Sequence, residues 1–369
     1  MVWARNMRRS LTAAACVTLL TASMLARAEE TMRQYRFEPA DNGYQLVLKT
    51  VPRPEVGAHE VLVRVHATSL NRRDLMILAG AYGPGADMTD TVPLSDGAGE
   101  VVAVGDGVGR FRVGDRVAGI FFQRWIDGAP DASVAASARG GGTGGMLSEY
   151  VVSDEAALVS GPEQLSWEEA ATLPCAGVTA WVSLFRRGQL QPGQYVLLEG
   201  TGGVSVFGLL FSVAAGARPI ITSSKDEKLA RARELGAVGT VNYRENPDWQ
   251  LKVRELTGGG GVDQVLDVGG RDTLPKALQA LAFGGHVALI GGLSGFVQDM
   301  PVGPLMFMNA TANGIYVGSR ADFEAMNRFI AEHRIHPVID RVFAFDDAPA
   351  AYDYMKNGSF LGKIVIRVK

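Results

Sequence analysis

The run Tyr195-Val196-Leu197-Leu198-Glu199-Gly200-Thr201-Gly202-Gly203-Val204-Ser205 decides the fold of this chain. An apolar strand passes into a glycine-rich turn, and a long apolar stretch separates it from a second strand at 219–222. Strand, glycine turn, helix and strand in that order open a dinucleotide-binding βαβ unit. Gly200, Gly202 and Gly203 let the backbone approach a pyrophosphate, and Val204 lies at the positive end of the following helix. Ser205 stands where a third glycine is usual. The expected ligand is a nicotinamide dinucleotide.

Working outward, strand candidates at 239–243, 264–268, 286–290 and 313–317 alternate with helical segments such as 226–235, which Gly236 ends. That alternation predicts a parallel, doubly wound α/β sheet. Before it the pattern changes to short strands and glycine turns, at 61–65, 99–105 and 113–117, the mark of an irregular β domain. Residues 127–145, rich in Gly, Ala and Ser, read as a flexible loop whose glycines serve as linker. Ser166-Trp167-Glu168-Glu169 forms a capping box that starts a helix into the second domain. After 320 a helix, a strand, another helix and a final strand complete the chain. The expected division is a leader at 1–28, a β domain at 29–172, a dinucleotide domain at 173–319, and a return to the first domain at 320–369.

The leader differs from all that follows. Arg5, Arg8 and Arg9 precede a short apolar stretch, and Ala26-Arg27-Ala28 offers the small residues of a signal peptidase site. The stretch is too short for a comfortable membrane span, so no stable span is expected after processing. The reading is export to the periplasm or beyond; the other reading is a cytoplasmic protein with its start at Met32. The net charge of −3 becomes −7 once the four leader arginines are removed, leaving 32 basic against 39 acidic residues. No basic stripe interleaved with aromatics occurs, which argues against nucleic acid as a partner. Without Cys16 only Cys175 remains, so no disulfide can form within one subunit.

Asn71-Arg72-Arg73-Asp74-Leu75, Val113-Gly114-Asp115-Arg116-Val117, the run from Ala171 through Thr179 to Trp181, the glycine turn and Gly362-Lys363-Ile364-Val365-Ile366 together resemble the medium-chain dehydrogenase/reductase superfamily. The resemblance implies a GroES-like β domain, a Rossmann domain and a homodimer, with a small-molecule substrate in the cleft between the domains. It also places Thr179 and Lys363 among the cofactor-binding residues. Zinc-dependent members hold their catalytic ion with a Cys, a His-Glu pair and a later Cys; here the matching positions are Asn71, Ser95-Asp96 and Cys175. One thiolate does not make a zinc site, which needs three protein ligands, so no metal is expected and Cys175 reads as a small buried thiol. The structural-zinc cysteines are absent as well, and the chain resembles the zinc-free quinone oxidoreductases.

Oxidising an alcohol requires a base or a metal to take the hydroxyl proton, and Arg73 fills the relay position without being able to serve as a base. A quinone, an enone or another activated carbonyl accepts hydride directly, and the oxyanion that forms needs only hydrogen-bond donors and a proton from water. Asn71 and Arg73 are the candidate catalytic donors; Arg73 also reads as a solvated or structural charge, and Asp74 as a residue that fixes its loop. The second strand ends in Ser223 and Ser224 with Lys225 and Lys228 beyond, and Tyr243 ends the third strand. Hydroxyls and cations in place of an acidic residue suit a 2′-phosphate and hence NADPH. Gly269 and Gly291 end strands where the cofactor is expected, and Tyr82, Phe122, Trp125, Met306 and Phe307 are expected around the substrate. A zinc-free alcohol dehydrogenase or aldehyde reductase and a non-catalytic NADPH-binding protein are the competing readings.

Overall fold

The computed structural model describes residues 30–83, 86–296, 299–300 and 302–369. The leader read as a signal peptide lies outside the described residues. An antiparallel ribbon comes first, β1 (Thr31–Ala40) with β2 (Gly43–Pro52). The first domain is then built on β3 (Glu60–Ser69), β4 (Asp96–Val104), β5 (Arg116–Gly119), β6 (Tyr150–Asp154) and β7 (Leu158–Ser160). The strand expected at 113–117 begins only at Arg116, because Gly114 turns with a φ of 95° and Val113 is left at the surface.

The second sheet holds β8 (Tyr195–Leu198), β9 (Arg218–Ser223), β10 (Gly239–Asn242), β11 (Val262–Asp267), β12 (Leu281–Leu289) and β13 (Thr311–Gly314). These six strands are all parallel, in the order β10-β9-β8-β11-β12-β13. This is the order of a doubly wound Rossmann sheet, and its direction reverses between β8 and β11, where such sheets bind ligands. β13 starts two residues earlier than the alternation suggested. The chain then returns: β14 (Ile339–Ala344) and β15 (Lys363–Arg367) extend the first domain's sheet, β15 pairing antiparallel with β3.

Between the sheets runs a helical segment that starts at Ser166, whose hydroxyl accepts from the Glu169 amide while the Glu169 carboxylate accepts from the Ser166 amide. The segment widens into π-helical turns at Leu173–Gly177 and Val182–Arg187. Pro174, which lacks an N–H, sits at the start of the first wide turn. One apolar cluster joins Phe121 and Val159 of the first domain to Leu173 and Val178 of this segment and on to Val196, Phe207 and Leu266 of the second sheet. Residues 127–145 are not a loose linker. Val134, Ala138 and Arg139 are buried, a short helix spans Ala132–Ala135, and single bridges tie Phe122 to Ala138 and Arg139 to Thr143.

Candidate active site

The glycine turn leaves β8 and enters a helix at Gly203–Ala214 that has no side-chain cap, so its first amides are free for an anion. Gly200 has a φ of 71°, a conformation that favours glycine. A Cβ added at Gly200 or Gly202 would meet no heavy atom within 4 Å, so the turn has open space above it. Gly203 faces inward instead, where a Cβ would come within 2.8 Å of Lys363 Cδ. Ser205 replaces the third glycine without harm because its hydroxyl turns back and donates to Glu199 O at 2.6 Å. The Gly200 amide donates to Thr222 Oγ1 at 3.1 Å, which ties the turn to β9. This cradle fits a dinucleotide pyrophosphate.

The end of β9 places Ser223 and Ser224 beside the turn, and the Tyr243 amide donates to Ser223 O at 3.1 Å. Asp226, the first acidic residue beyond, is occupied by the Asn242 side-chain amide at 2.9 Å. Lys228 is drawn elsewhere: its ammonium donates to Phe360 O at 2.8 Å and reaches Gly358 O at 3.4 Å, and Lys225 reaches Ser359 Oγ at 3.3 Å. Burial, then the neighbouring Lys225, lowers the Lys228 pKa. Lys228 therefore helps dock the C-terminal segment, and Ser223, Ser224 and Tyr243 are left as the grouping at this end.

Gly269 and Gly291 lie at the ends of β11 and β12, yet packing accounts for both. A Cβ at Gly269 would strike Thr273 Oγ1 at 2.3 Å, and one at Gly291 would strike Val268 O at 2.7 Å. Asp267 organises this turn, accepting from the Gly269 and Gly270 amides at 3.0 Å and from Thr273 Oγ1 at 2.6 Å. Burial, then the Asp267 carboxylate, pushes the Glu199 carboxyl beneath the turn well above the usual range.

In the first domain, a helix at Arg72–Leu78 begins at Asn71. The Asn71 amide donates to Asp74 Oδ2 at 2.6 Å, so Asp74 does fix this loop. Burial raises the Asp74 carboxyl to about 6. Arg73 is only 8% exposed, which removes the reading of a solvated charge. Its guanidinium lies 4.7 Å over the Tyr82 ring and 4.6 Å over Phe121, and Nη1 donates to Arg139 O at 2.7 Å. Arg73 Nε, Arg73 Nη2 and Asn71 Nδ2 are buried with no partner. A stranded buried donor costs about 1–3 kcal/mol, which a bound acceptor would recover.

Gly140-Gly141, read as linker, belong here. A Cβ at Gly141 would stand 2.3 Å from Arg73 Nη2. Arg139 itself is fully buried, and desolvation lowers its pKa to about 10. No local sequence signal marks Arg139 as the support for Arg73. Tyr82 shares a 2.6 Å hydrogen bond with Tyr316, which packs edge-on against Phe122 at 4.8 Å. Burial raises the Tyr82 pKa. Met306 and Phe307 do not join these rings; they stand 74% and 84% exposed on the surface helix Val302–Phe307. Thr179 is buried in Val178–Trp181, a segment packed on the helix Gly203–Ala214.

Lys363, expected at the cofactor, lays its stem against the glycine turn, with Cδ 2.8 Å from where a Cβ on Gly203 would stand. Its ammonium donates to Leu70 O and Asn71 Oδ1, both at 2.6 Å, and reaches Asp96 Oδ2 at 3.5 Å. Those acceptors take all three of its N–H groups.

Residues 57–163 match the alcohol dehydrogenase GroES-like domain family, and residues 203–332 the zinc-binding dehydrogenase family. A zinc-type alcohol dehydrogenase-like protein of Schizosaccharomyces pombe is 44% identical over 315 residues, 84% of this chain and 91% of the relative. The chain belongs to the medium-chain dehydrogenase/reductase superfamily. It is an oxidoreductase family with the fold described above. Quinone oxidoreductase-like protein 2 of Bos taurus is 30% identical over 337 residues, covering 88% of this chain and 89% of that protein. A solved structure from Sinorhizobium meliloti 1021 superposes with a TM-score of 0.86 at 41% identity, over 92% of this chain and 99% of that one. Two further solved structures bear different cofactor names. One is an NAD-dependent alcohol dehydrogenase, with TM-score 0.82 and 33% identity over 92% of this chain and all of that one. The other is a 2-octenoyl-CoA carboxylase reductase in complex with NADP, with TM-score 0.81 and 25% identity over 93% and 88%.

The residues at this superfamily's zinc position do not fit a zinc ion. Asp96 already accepts from Ser95 Oγ at 2.7 Å and Ser69 Oγ at 3.3 Å, and the Lys363 ammonium beside it would repel a divalent cation. Burial, then the charge of Asp96, pushes the Cys175 thiol well above its ordinary value. With Asn71 and Ser95 in place of the other usual ligands, it is the one thiol at the position, short of the three protein ligands that zinc needs.

Proposed function

We propose that this protein reduces a quinone or an α,β-unsaturated carbonyl with NADPH and without a metal. The observation that carries the reading is the set of unpartnered buried donors, Asn71 Nδ2 with Arg73 Nε and Nη2, next to a position where a metal does not fit. NADPH held at the glycine turn would supply hydride to the electrophilic carbon, and Asn71 Nδ2 with Arg73 Nε and Nη2 would stabilise the negative charge collecting on the acceptor oxygen until water supplies a proton. Alcohol oxidation needs a base, and the candidates present serve poorly: Arg73 is a permanent cation and the Cys175 thiol is held neutral. NADPH preference is proposed on Ser223 and Ser224, with the acidic Asp226 engaged by Asn242.

The test is NADPH consumption by purified residues 29–369 with a simple quinone and with an enone, a chelator being present. Chelator-resistant turnover, much weaker with NADH, is the expected result. Oxidation of a primary alcohol that the chelator stops would overturn it, and tight NADPH binding with no turnover would favour the non-catalytic reading. Export is proposed for the leader. It is supported by the basic start at Arg5, Arg8 and Arg9, the short apolar stretch and the small residues of Ala26-Arg27-Ala28. An amino terminus at Glu29 in the cellular protein is expected, and one at Met32 would overturn it. A homodimer is proposed through the β13 edge.

A further inference from the structure

Lys363 opens β15 directly after Gly362, whose amide donates to Thr201 O at 2.9 Å. Its side chain is 3% exposed. With all three N–H groups engaged by Leu70, Asn71 and Asp96, it has none left for a dinucleotide phosphate. The ammonium thus stands among the positions that hold zinc in metal-dependent members, and it balances the Asp96 carboxylate there.

An ammonium only donates, so the Asn71 side-chain atom 2.6 Å from it must be Oδ1. That fixes which way the amide points. Asn71 Nδ2 then turns from the lysine, buried and without a partner. A neutral apolar group at 363 would remove the constraint, and a flipped amide would present an acceptor to the developing oxyanion. Such a site repels the charge it should stabilise.

We propose that Lys363 is the positioning residue that takes the place of the catalytic metal, holding the Asn71 amide with its N–H₂ toward the reacting carbonyl. This rests on the reading of the site as a carbonyl-reducing one. Lys363 moves neither proton nor hydride.

The test compares Lys363→Met, Asn71→Ala and the double variant for NADPH Kd, by nucleotide fluorescence, and for kcat with the quinone. Lys363→Met is expected to lower kcat roughly 100-fold, the scale of losing one oxyanion donor, while Kd stays within about threefold. Because both residues act through one amide, the double variant should fall within about threefold of Asn71→Ala. A Kd raised tenfold or more with kcat intact would make Lys363 a cofactor ligand and overturn the assignment, as would fully multiplicative losses. If the unpaired Asp96 prevents Lys363→Met from folding, Lys363→Met with Asp96→Asn removes both charges and is read in the same way. A wild-type chain that turns over neither quinone nor enone would sink the proposed function alone. The lysine is then judged from melting temperatures in the same cycle, where a non-additive loss supports the contact and an additive one overturns it.

Discussion

Arg73 is gripped at Nη1 by Arg139 O and stacked between Tyr82 and Phe121, which leaves Nε and Nη2 buried without partners. Arg73→Ala is expected to lower kcat/KM for a quinone about 100- to 1000-fold, the usual scale for an oxyanion donor in a dry site. Arg73→Lys, which keeps charge but loses the planar fork, should recover less than about tenfold of that. The neighbouring Asp74 predicts a pH effect on stability. Its folded pKa of about 6 exceeds the ordinary 3.8, so the native state holds a proton that the unfolded chain has lost. Stability from this group is therefore full below pH 3.8 and falls as pH rises to about 6, by up to roughly 3 kcal/mol. Asp74→Asn keeps an acceptor for the Asn71 amide and should flatten that slope; melting temperatures between pH 4 and 7 for both proteins check it. Asn71 and Arg73 could be named as candidates because they share one short motif. The contact of Lys363 with Asn71 could not be read there, since it spans 292 residues and depends on the return of the chain to the first sheet.

At the level of elements, the parallel sheet was readable because apolar strands, glycine stops and helix starts recur at fixed spacing, and the central strands β8 and β11 are almost wholly buried. The segment at 127–145 was misread for the opposite reason. Its small residues carry no periodicity, and its order comes from tertiary packing of Arg139 and from the approach of Gly141 to Arg73, neither of which a local pattern encodes. Gly269 and Gly291, expected as cofactor contacts, are in addition required by close packing. Cofactor choice belongs to this scale, at the end of β9. Ser224→Asp would set an acidic side chain where a 2′-phosphate is proposed and where ribose hydroxyls would welcome it. The ratio of kcat/KM for NADPH over NADH should fall by at least roughly tenfold. An unchanged ratio would mean that the 2′-phosphate is read elsewhere.

The whole molecule keeps its catalytic candidates far in the topology from one outer strand of the parallel sheet. Asn71, Arg73 and Lys363 hang on β3, β15 and the helix Arg72–Leu78, whereas β13, which with β10 bounds the other sheet, is paired on one side only among the described residues. An edge strand with free N–H and C=O groups invites a partner strand. Beside it lies an apolar surface: Phe307 and Met306 are exposed on the helix Val302–Phe307, and the Gly284 amide bonds Met308 O at 2.7 Å, which brings exposed Phe283 next to them. A second copy meeting this patch through a twofold axis would pair β13 with β13 and cover the same residues on both sides. Phe307→Glu is expected to shift the protein from dimer to monomer in light scattering, since two charges would face each other across the axis. Quinone turnover per chain should survive in that monomer, because no candidate catalytic side chain comes from the β13 edge. A wild type that runs as a monomer, or a Phe307→Glu protein that stays dimeric, would place the interface elsewhere or remove it.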